Sequence, residues 1–187
     1  MRKILFVTSN KGKMLEAEKL LSSLGFEVSQ LEISYPEIQA SHLEEVASFG
    51  IEWILKEKRI NEAIILEDAG LFIHALNDFP GVFSADVFKS IGLEGILRLM
   101  EDEEDRSAHF ESCIAYREEG SKPMIFKGRV DGVITHEIKG ERGFGYDPIF
   151  VPKGEKRTFG EMRIEEKNHF SHRGKSLKKL VEYLSKR

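Results

Sequence analysis

The sequence predicts an α/β fold, a mixed sheet with helices packed on it. Strand-like and helix-like segments alternate through the first half, and long β-like stretches follow in the second. A chain of 187 residues, 41% hydrophobic, has the length and apolar content for one domain, or for a compact two-lobed one, over residues 1–187. There is no internal repeat, low-complexity tract or linker to divide it.

The elements follow in order. RKILFVT is a short apolar run rich in β-formers, a buried strand. After SNKGK, the residues Met14, Ala17, Leu21 and Leu24 recur at helical spacing and Gly25 closes the helix. FEVSQLEI is the next strand, and Pro36 breaks the pattern. A second helix is expected from about Ser41, with Leu43, Val46, Phe49, Gly50, Trp53 and Ile54 inward. Ser41 would cap it, with Glu44 completing a capping box. EAIILEDAG reads as a strand ending in two acids and a glycine, and SIGLEGILRLM as a third helix. RSAHFESCIAYRE and KPMIFKGRVDGVITHEI are long strands joined by a hairpin at Glu118–Ser121. The last helix, about 172–186, puts Leu177, Leu180, Val181 and Leu184 on one face. Its Lys178, Lys179, Lys186 and Arg187 form a solvated face.

Composition excludes several classes. A net charge of −4 argues against a chain-wide nucleic-acid footprint but leaves room for a local basic pocket. No apolar run approaches the roughly 20 residues that cross a bilayer. The apolar run Ile4 to Val7 falls short of a signal-peptide core of about 7–15 residues, so the expected address is cytoplasmic. The single Cys113 rules out an internal disulfide and reads as a strand residue.

Four segments can carry chemistry. TSNKGKMLE, 8–16, sits where a strand hands over to a helix N-terminus, where free N–H groups and the helix dipole favour an anion. Thr8, Ser9 and Asn10 can bond phosphate oxygens while Lys11 and Lys13 supply charge; a capped polar turn is the bland alternative. It is not a Walker A loop, because the leading glycine is absent and no Ser or Thr follows Lys13. In EDAG, 67–70, alternation along a strand sends Glu67 and Asp68 to opposite faces, so they need not share one job. A carboxylate there can hold Mg²⁺ or orient a water, or it is an exposed acidic turn. GERGFGYDPIF, 140–150, can place a ring against a base, with Asp147 accepting a purine N1–H that adenine lacks, or it is a Gly-rich turn before a strand. EEKNHFSHRGKS, 165–176, ends like a Walker A motif, but His169 stands where glycine would be needed. Its Lys167, Ser171, His172 and Arg173 suit base carbonyls and phosphates rather than a divalent metal. Lys56 shares an apolar stripe with Phe49 and Trp53 and either snorkels or reaches phosphates. Glu37, after Pro36, matters only where a metal needs a second carboxylate.

TSNKGKMLE, FPGVFSA, EDAGL, GFGYDPIF, TFGEM and EEKNHFSHRGKSL together resemble the inosine/xanthosine triphosphate pyrophosphatases, which remove deaminated purine nucleotides. The resemblance covers nearly the whole chain. It implies a long bent mixed sheet in two lobes with a cleft between them, and a homodimer. It implies Thr8, Ser9, Asn10, Lys11, Gly12, Lys13 and Lys56 at the triphosphate, and Mg²⁺ on Glu37 and Asp68. Asp68 would also take the proton of the attacking water. Phe144, Gly145, Tyr146 and Asp147 would cradle the base, with Ala69, Lys167, His172 and Arg173 completing the pocket and Ser171 beside them. Where the family has two aspartates and a serine, this chain has Glu67, Asp68 and Ala69. Glu52 and Trp53 replace the first residues of the family's Asn-Ala-x-x-Lys, with Lys56 taken as its lysine. The implied reaction releases pyrophosphate from ITP, dITP or XTP. A pyrophosphatase for modified pyrimidine nucleotides and a non-catalytic nucleotide-binding module are the rivals.

Overall fold

The computed structural model describes residues 2–36, 38–58, 60–118 and 120–186. It forms a mixed seven-stranded sheet with helices on both faces. The strands are β1 (Arg2–Val7), β2 (Phe26–Leu31), β3 (Ala63–Ile73), β4 (Phe79–Pro80), β5 (Ser107–Arg117), β6 (Met124–Ile134) and β7 (Phe150–Pro152). The helices are α1 (Lys11–Ser23), α2 (Leu43–Glu57), α3 (Ser84–Leu99), α4 (Ile164–Phe170) and α5 (His172–Ser185). The order is β2-β1-β3-β5-β6-β7, with β4 pairing on β3. β1 is parallel to β2 and β3, and the other pairs are antiparallel.

The main correction to the sequence reading is β3. It does not end at Glu67–Gly70 but runs on to Ile73, because β5 pairs with it from Ile64 to Ile73. On its other edge the pairing with β1 stops at Leu66 and the pairing with β4 begins at Phe72. That edge is therefore free of strand partners from Glu67 to Leu71. Side chains take over its polar groups: Lys13 donates to the Glu67 carbonyl at 3.2 Å, and the Leu71 N–H donates to Ser84 Oγ at 2.8 Å.

Three apolar clusters hold the layers. α1 and α5 cover Ile4, Phe6, Ile65 and Ile114 on one face. α2 covers Val7, Ile64, Leu66 and Cys113 on the other. Past the open edge, Leu71, Ile73, Phe110 and Ile134 pack with Ile96, Phe150 and Phe159. On α5, Leu177, Leu180, Val181 and Leu184 are all buried, each worth about 1.5–3 kcal/mol relative to exposure.

Smaller differences have local causes. α2 starts at Leu43 with His42 as N-cap, and there is no Ser41–Glu44 box: the Ser41 N–H donates to Glu45 Oε2 while Glu44 pairs with Lys127. Its buried stripe is Leu43, Ala47, Gly50, Ile51 and Ile54, with Val46, Phe49 and Trp53 half-buried at its flanks. α3 begins at Ser84, earlier than expected, and kinks at Gly92, whose φ of +62° suits glycine. The hairpin turn forms as expected, with the Ser121 N–H bonded to the Glu118 carbonyl at 3.1 Å. Cys113 is a buried strand residue whose thiol burial pushes up to about 12. Among the described residues no helix is long and apolar enough to cross a membrane.

Candidate active site

A cavity of about 330 Å³ opens at the free edge of β3, within the size range of small-molecule sites. Its near wall is the start of α1. Asn10 caps that helix, its side chain accepting from the Lys13 N–H at 3.0 Å, and the Asn10 N–H donates to Thr8 Oγ1 at 3.1 Å. Gly12 is required by contact: a Cβ there would lie 2.3 Å from the Phe144 ring. Lys13 reaches across to Glu67 Oε2 at 3.2 Å.

Below lies a buried chain of charges. Glu67 accepts from Ser112 Oγ at 2.7 Å and pairs with Arg173 Nε at 2.9 Å. Arg173 also binds Glu16 through Nη1. Lys167 bridges Glu16 at 2.6 Å and Asp147 at 2.7 Å. Burial alone would push the Glu67 carboxyl up, but Arg173 and then Lys13 outweigh it and hold it well below the usual range. Glu16 is likewise lowered, burial being overcome by Arg173 and Lys167. Asp147 is pushed up instead, because burial, reinforced by Glu16, outweighs Lys167 and the Phe144 N–H. Lys167 thus serves two carboxylates, and the ionised one is favoured at Glu16.

The opening of α5 sets the last wall. Ser171 caps it, accepting from the Gly174 N–H at 3.0 Å. Gly174 sits where a Cβ would meet the Asn168 carbonyl at 2.0 Å, so the Walker-like tail reflects helix packing rather than a phosphate loop. His172 is buried and stacks on Phe110 with centroids 4.6 Å apart, while His169 is exposed, so the two histidines do not face one ligand. Burial, with Arg173 and Lys167, drives His172 well below 6.5 and keeps it neutral. Its Nδ1 is buried and has no hydrogen-bond partner among the described residues.

The cavity gathers Asn10, Lys13, Asp68, Ala69, Phe144, Gly145, Tyr146, Asp147, Lys167, His172 and Arg173. It leaves out Thr8, Ser9, Lys11, Gly12 and Ser171, which stand beside it in the turn before α1, in the first turn of α1 and at the cap of α5. Lys56 is exposed near the end of α2 and is not part of its lining. Glu37 lies outside the described residues. Tyr146 is buried, edge-on to Phe88 and donating to the Ser84 carbonyl at 2.8 Å, so half-buried Phe144 is the more open ring. Lys167 Nζ lies 5.0 Å and Arg173 Cζ 5.3 Å from the Phe144 centroid, in cation–π range.

A sequence model of the Ham1 family matches residues 4–183. The chain belongs to the Ham1 family. It is 52% identical over 182 residues to the dITP/XTP pyrophosphatase of Thermococcus kodakarensis, covering 97% of each chain. It is 44% identical over 183 residues to that of Methanosarcina mazei, covering 98% of this chain and 97% of the relative. Among solved structures, a HAM1 protein from Coxiella burnetii matches with a TM-score of 0.84 at 34% identity, covering 100% of both chains. The dITP/XTP pyrophosphatase of Mycobacterium abscessus matches with a TM-score of 0.72 at 33% identity, covering 97% of this chain and 99% of that one.

Within this Ham1 fold, sequence reasoning missed Glu16, Ser112 and Phe110 around the charge chain, and Val82, Ser84, Phe88 and Lys89 on the cavity wall. Glu16 closes the TSNKGKMLE block, and Val82 and Ser84 fall in FPGVFSA, so both segments carried a signal without a role.

Proposed function

We infer that this protein is a nucleoside-triphosphate pyrophosphatase that hydrolyses dITP, ITP and XTP to the monophosphate and pyrophosphate. One cavity carries the conclusion: the α1 N-terminus with Lys13, the Asp68 carboxylate, and the Phe144–His172 pocket all line it. This arrangement fits a triphosphate at one end and a base at the other. Relatives called dITP/XTP pyrophosphatase, 43–52% identical over nearly the whole chain, support the same substrate class.

The roles follow from position. Asn10, Lys13 and the free N–H groups of the first turn of α1 receive the phosphates, with Thr8, Ser9, Lys11 and Gly12 shaping that loop. Asp68 accepts the proton of a water that attacks the α-phosphorus, and the α–β bridging oxygen leaves with pyrophosphate. Phe144 supplies a ring face to the base. His172 brings its unpartnered Nδ1 to the base edge. Arg173 already has Nη1 and Nε on Glu16 and Glu67, so it supplies positive charge from a fixed position. Asp147 Oδ2 holds Lys167 and the Phe144 N–H, so its first task is to fix the loop that carries the ring.

The Asp68 carboxylate on the cavity wall fits a hard cation such as Mg²⁺, with Glu37 as the second ligand the sequence suggests. When bound, Mg²⁺ would neutralise charge on the phosphates.

Pyrophosphate release should be measured with Mg²⁺ on ITP, XTP, GTP, ATP and UTP, with orthophosphate scored separately. Pyrophosphate mainly from ITP and XTP is the expected result. Orthophosphate release, preference for UTP, or binding without turnover would each overturn the assignment. The homodimer implied by the family resemblance is checked by light scattering.

A further inference from the structure

A second cluster of metal-ligating side chains stands away from the cavity. β3 ends at Ile73, and the turn that follows carries His74 and Asp78. His109 faces them from β5, where it pairs across the ladder with Phe72. His74 Nε2 lies 3.1 Å from His109 Nδ1, and one ligand atom from each of His74, Asp78 and His109 lies within 4.8 Å of the others. Asp68 is four residues back along β3 from Phe72, the ladder partner of His109, about 13 Å at strand rise, so the two sites are distinct.

The spacing suits a transition metal. Two imidazole nitrogens on one tetrahedral Zn²⁺, each bound at about 2.0–2.1 Å, stand roughly 3.3 Å apart. The rings are already oriented. His74 Nδ1 lies 2.8 Å from Ser107 Oγ, the outer hydrogen bond that fixes a ligating imidazole. The His109 ring stacks on Phe72 with centroids 4.8 Å apart and planes within 5°. Asp78 is exposed, with its N–H bonded to the Ile73 carbonyl at 3.0 Å, and a carboxylate oxygen of it lies within 4.8 Å of the ring nitrogens. Nearby Asp131 is committed to Arg129 at 2.8 Å and is not needed.

We propose that His74, Asp78 and His109 bind one Zn²⁺-type ion through two nitrogens and an oxygen. The ion clasps the turn after β3 to β5. Two imidazoles and one carboxylate favour a borderline metal over Mg²⁺. Solvent fills the remaining coordination.

The test uses the full chain, stripped with EDTA and dialysed, and titrated with Zn²⁺ alone by calorimetry. Co²⁺ substitution, read by its visible absorption, is the second measurement. The unmodified protein should take up one Zn²⁺ at this site. His74→Ala, at an exposed position, should weaken that uptake by about 100-fold or more, since loss of even an outer-shell partner costs about 10–100-fold. Asp78→Asn, which keeps a residue suited to the left-handed φ of +63° at this position, should also weaken it and change the Co²⁺ spectrum. Mg²⁺-dependent turnover should be unchanged in both variants. No uptake with Zn²⁺ in excess, or the same titration in both variants as in the unmodified chain, would overturn the proposal.

Discussion

Glu67 and Asp68 are neighbours on one strand with opposite surroundings. Glu67 points to the face covered by α1 and α5, where its side chain has no exposure and meets Arg173, Ser112 and Lys13. Asp68 points to the face of Ile64 and Leu66, half-buried on the cavity wall. The cavity lies at the open edge of β3 and is reached from both faces. A carboxylate sealed in low dielectric with fixed cations is an anchor. One that keeps contact with a solvent-filled space can accept a proton. The adjacent acids thus divide structure from chemistry, and each can be removed separately.

The largest effect is expected from Asp68→Asn. Loss of a positioned base lowers kcat by about 10²–10⁴-fold, or about 3–5 kcal/mol in the barrier. Pyrophosphate release from ITP at saturating Mg²⁺ reads it, and the urea midpoint should move far less than in the Glu67 variant. Intact turnover would remove Asp68 from its role.

Glu67→Gln should act the other way round. It leaves Arg173 and Lys13 short of a buried counter-charge, a loss of about 3–5 kcal/mol in stability. Its carboxyl is lowered in the folded state, so its contribution is complete above the ordinary value of 4.5 and disappears as pH falls through the folded value. The variant should therefore unfold in less urea at pH 7 and show a flatter acid limb below pH 4.5. An unchanged midpoint at pH 7 would mean the charge chain is not an anchor.

His172 separates the two acids by pH. Its folded value lies well below 6.5, so the folded state resists protonation and its contribution to stability falls as pH drops below 6.5. Urea midpoints between pH 7 and pH 5 should decline, and His172→Asn should remove part of that slope. A slope identical in the variant would assign the decline to other groups.

The contrast between Glu67 and Asp68 was partly legible. Period-two alternation alone placed them on opposite faces, and helical spacing found α5 to within a residue and found α1 from Met14, although that helix already begins at Lys11. The continuation of β3 was not legible, because it depends on pairing with a distant stretch of β5, where Leu71, Phe72 and Ile73 meet Phe110, His109 and Ala108. Nor was the role of Glu16, whose partner Lys167 is 151 residues distant. Local pattern reports which face a residue takes, but not which distant charge waits there.

Lys56 gives the smallest effect and the sharpest check on that limit. The family resemblance placed it at the phosphates, while its position in an apolar stripe read more simply as a snorkelling lysine. The fold puts the buried stripe of α2 on Leu43, Ala47, Ile51 and Ile54, and leaves Lys56 exposed on the last turn. α2 leads into the start of β3, several residues before Asp68, so its C-terminal end lies away from the open edge. Lys56→Ala should therefore change stability by no more than about 0.5 kcal/mol and leave KM for ITP as it was. Lys13→Ala, on the cavity wall and tied to Glu67, is the matched control and should raise KM. A KM rise of similar size in both would mean that Lys56 reaches the triphosphate when substrate is bound, and that the sequence reading was right where the exposed position argues against it.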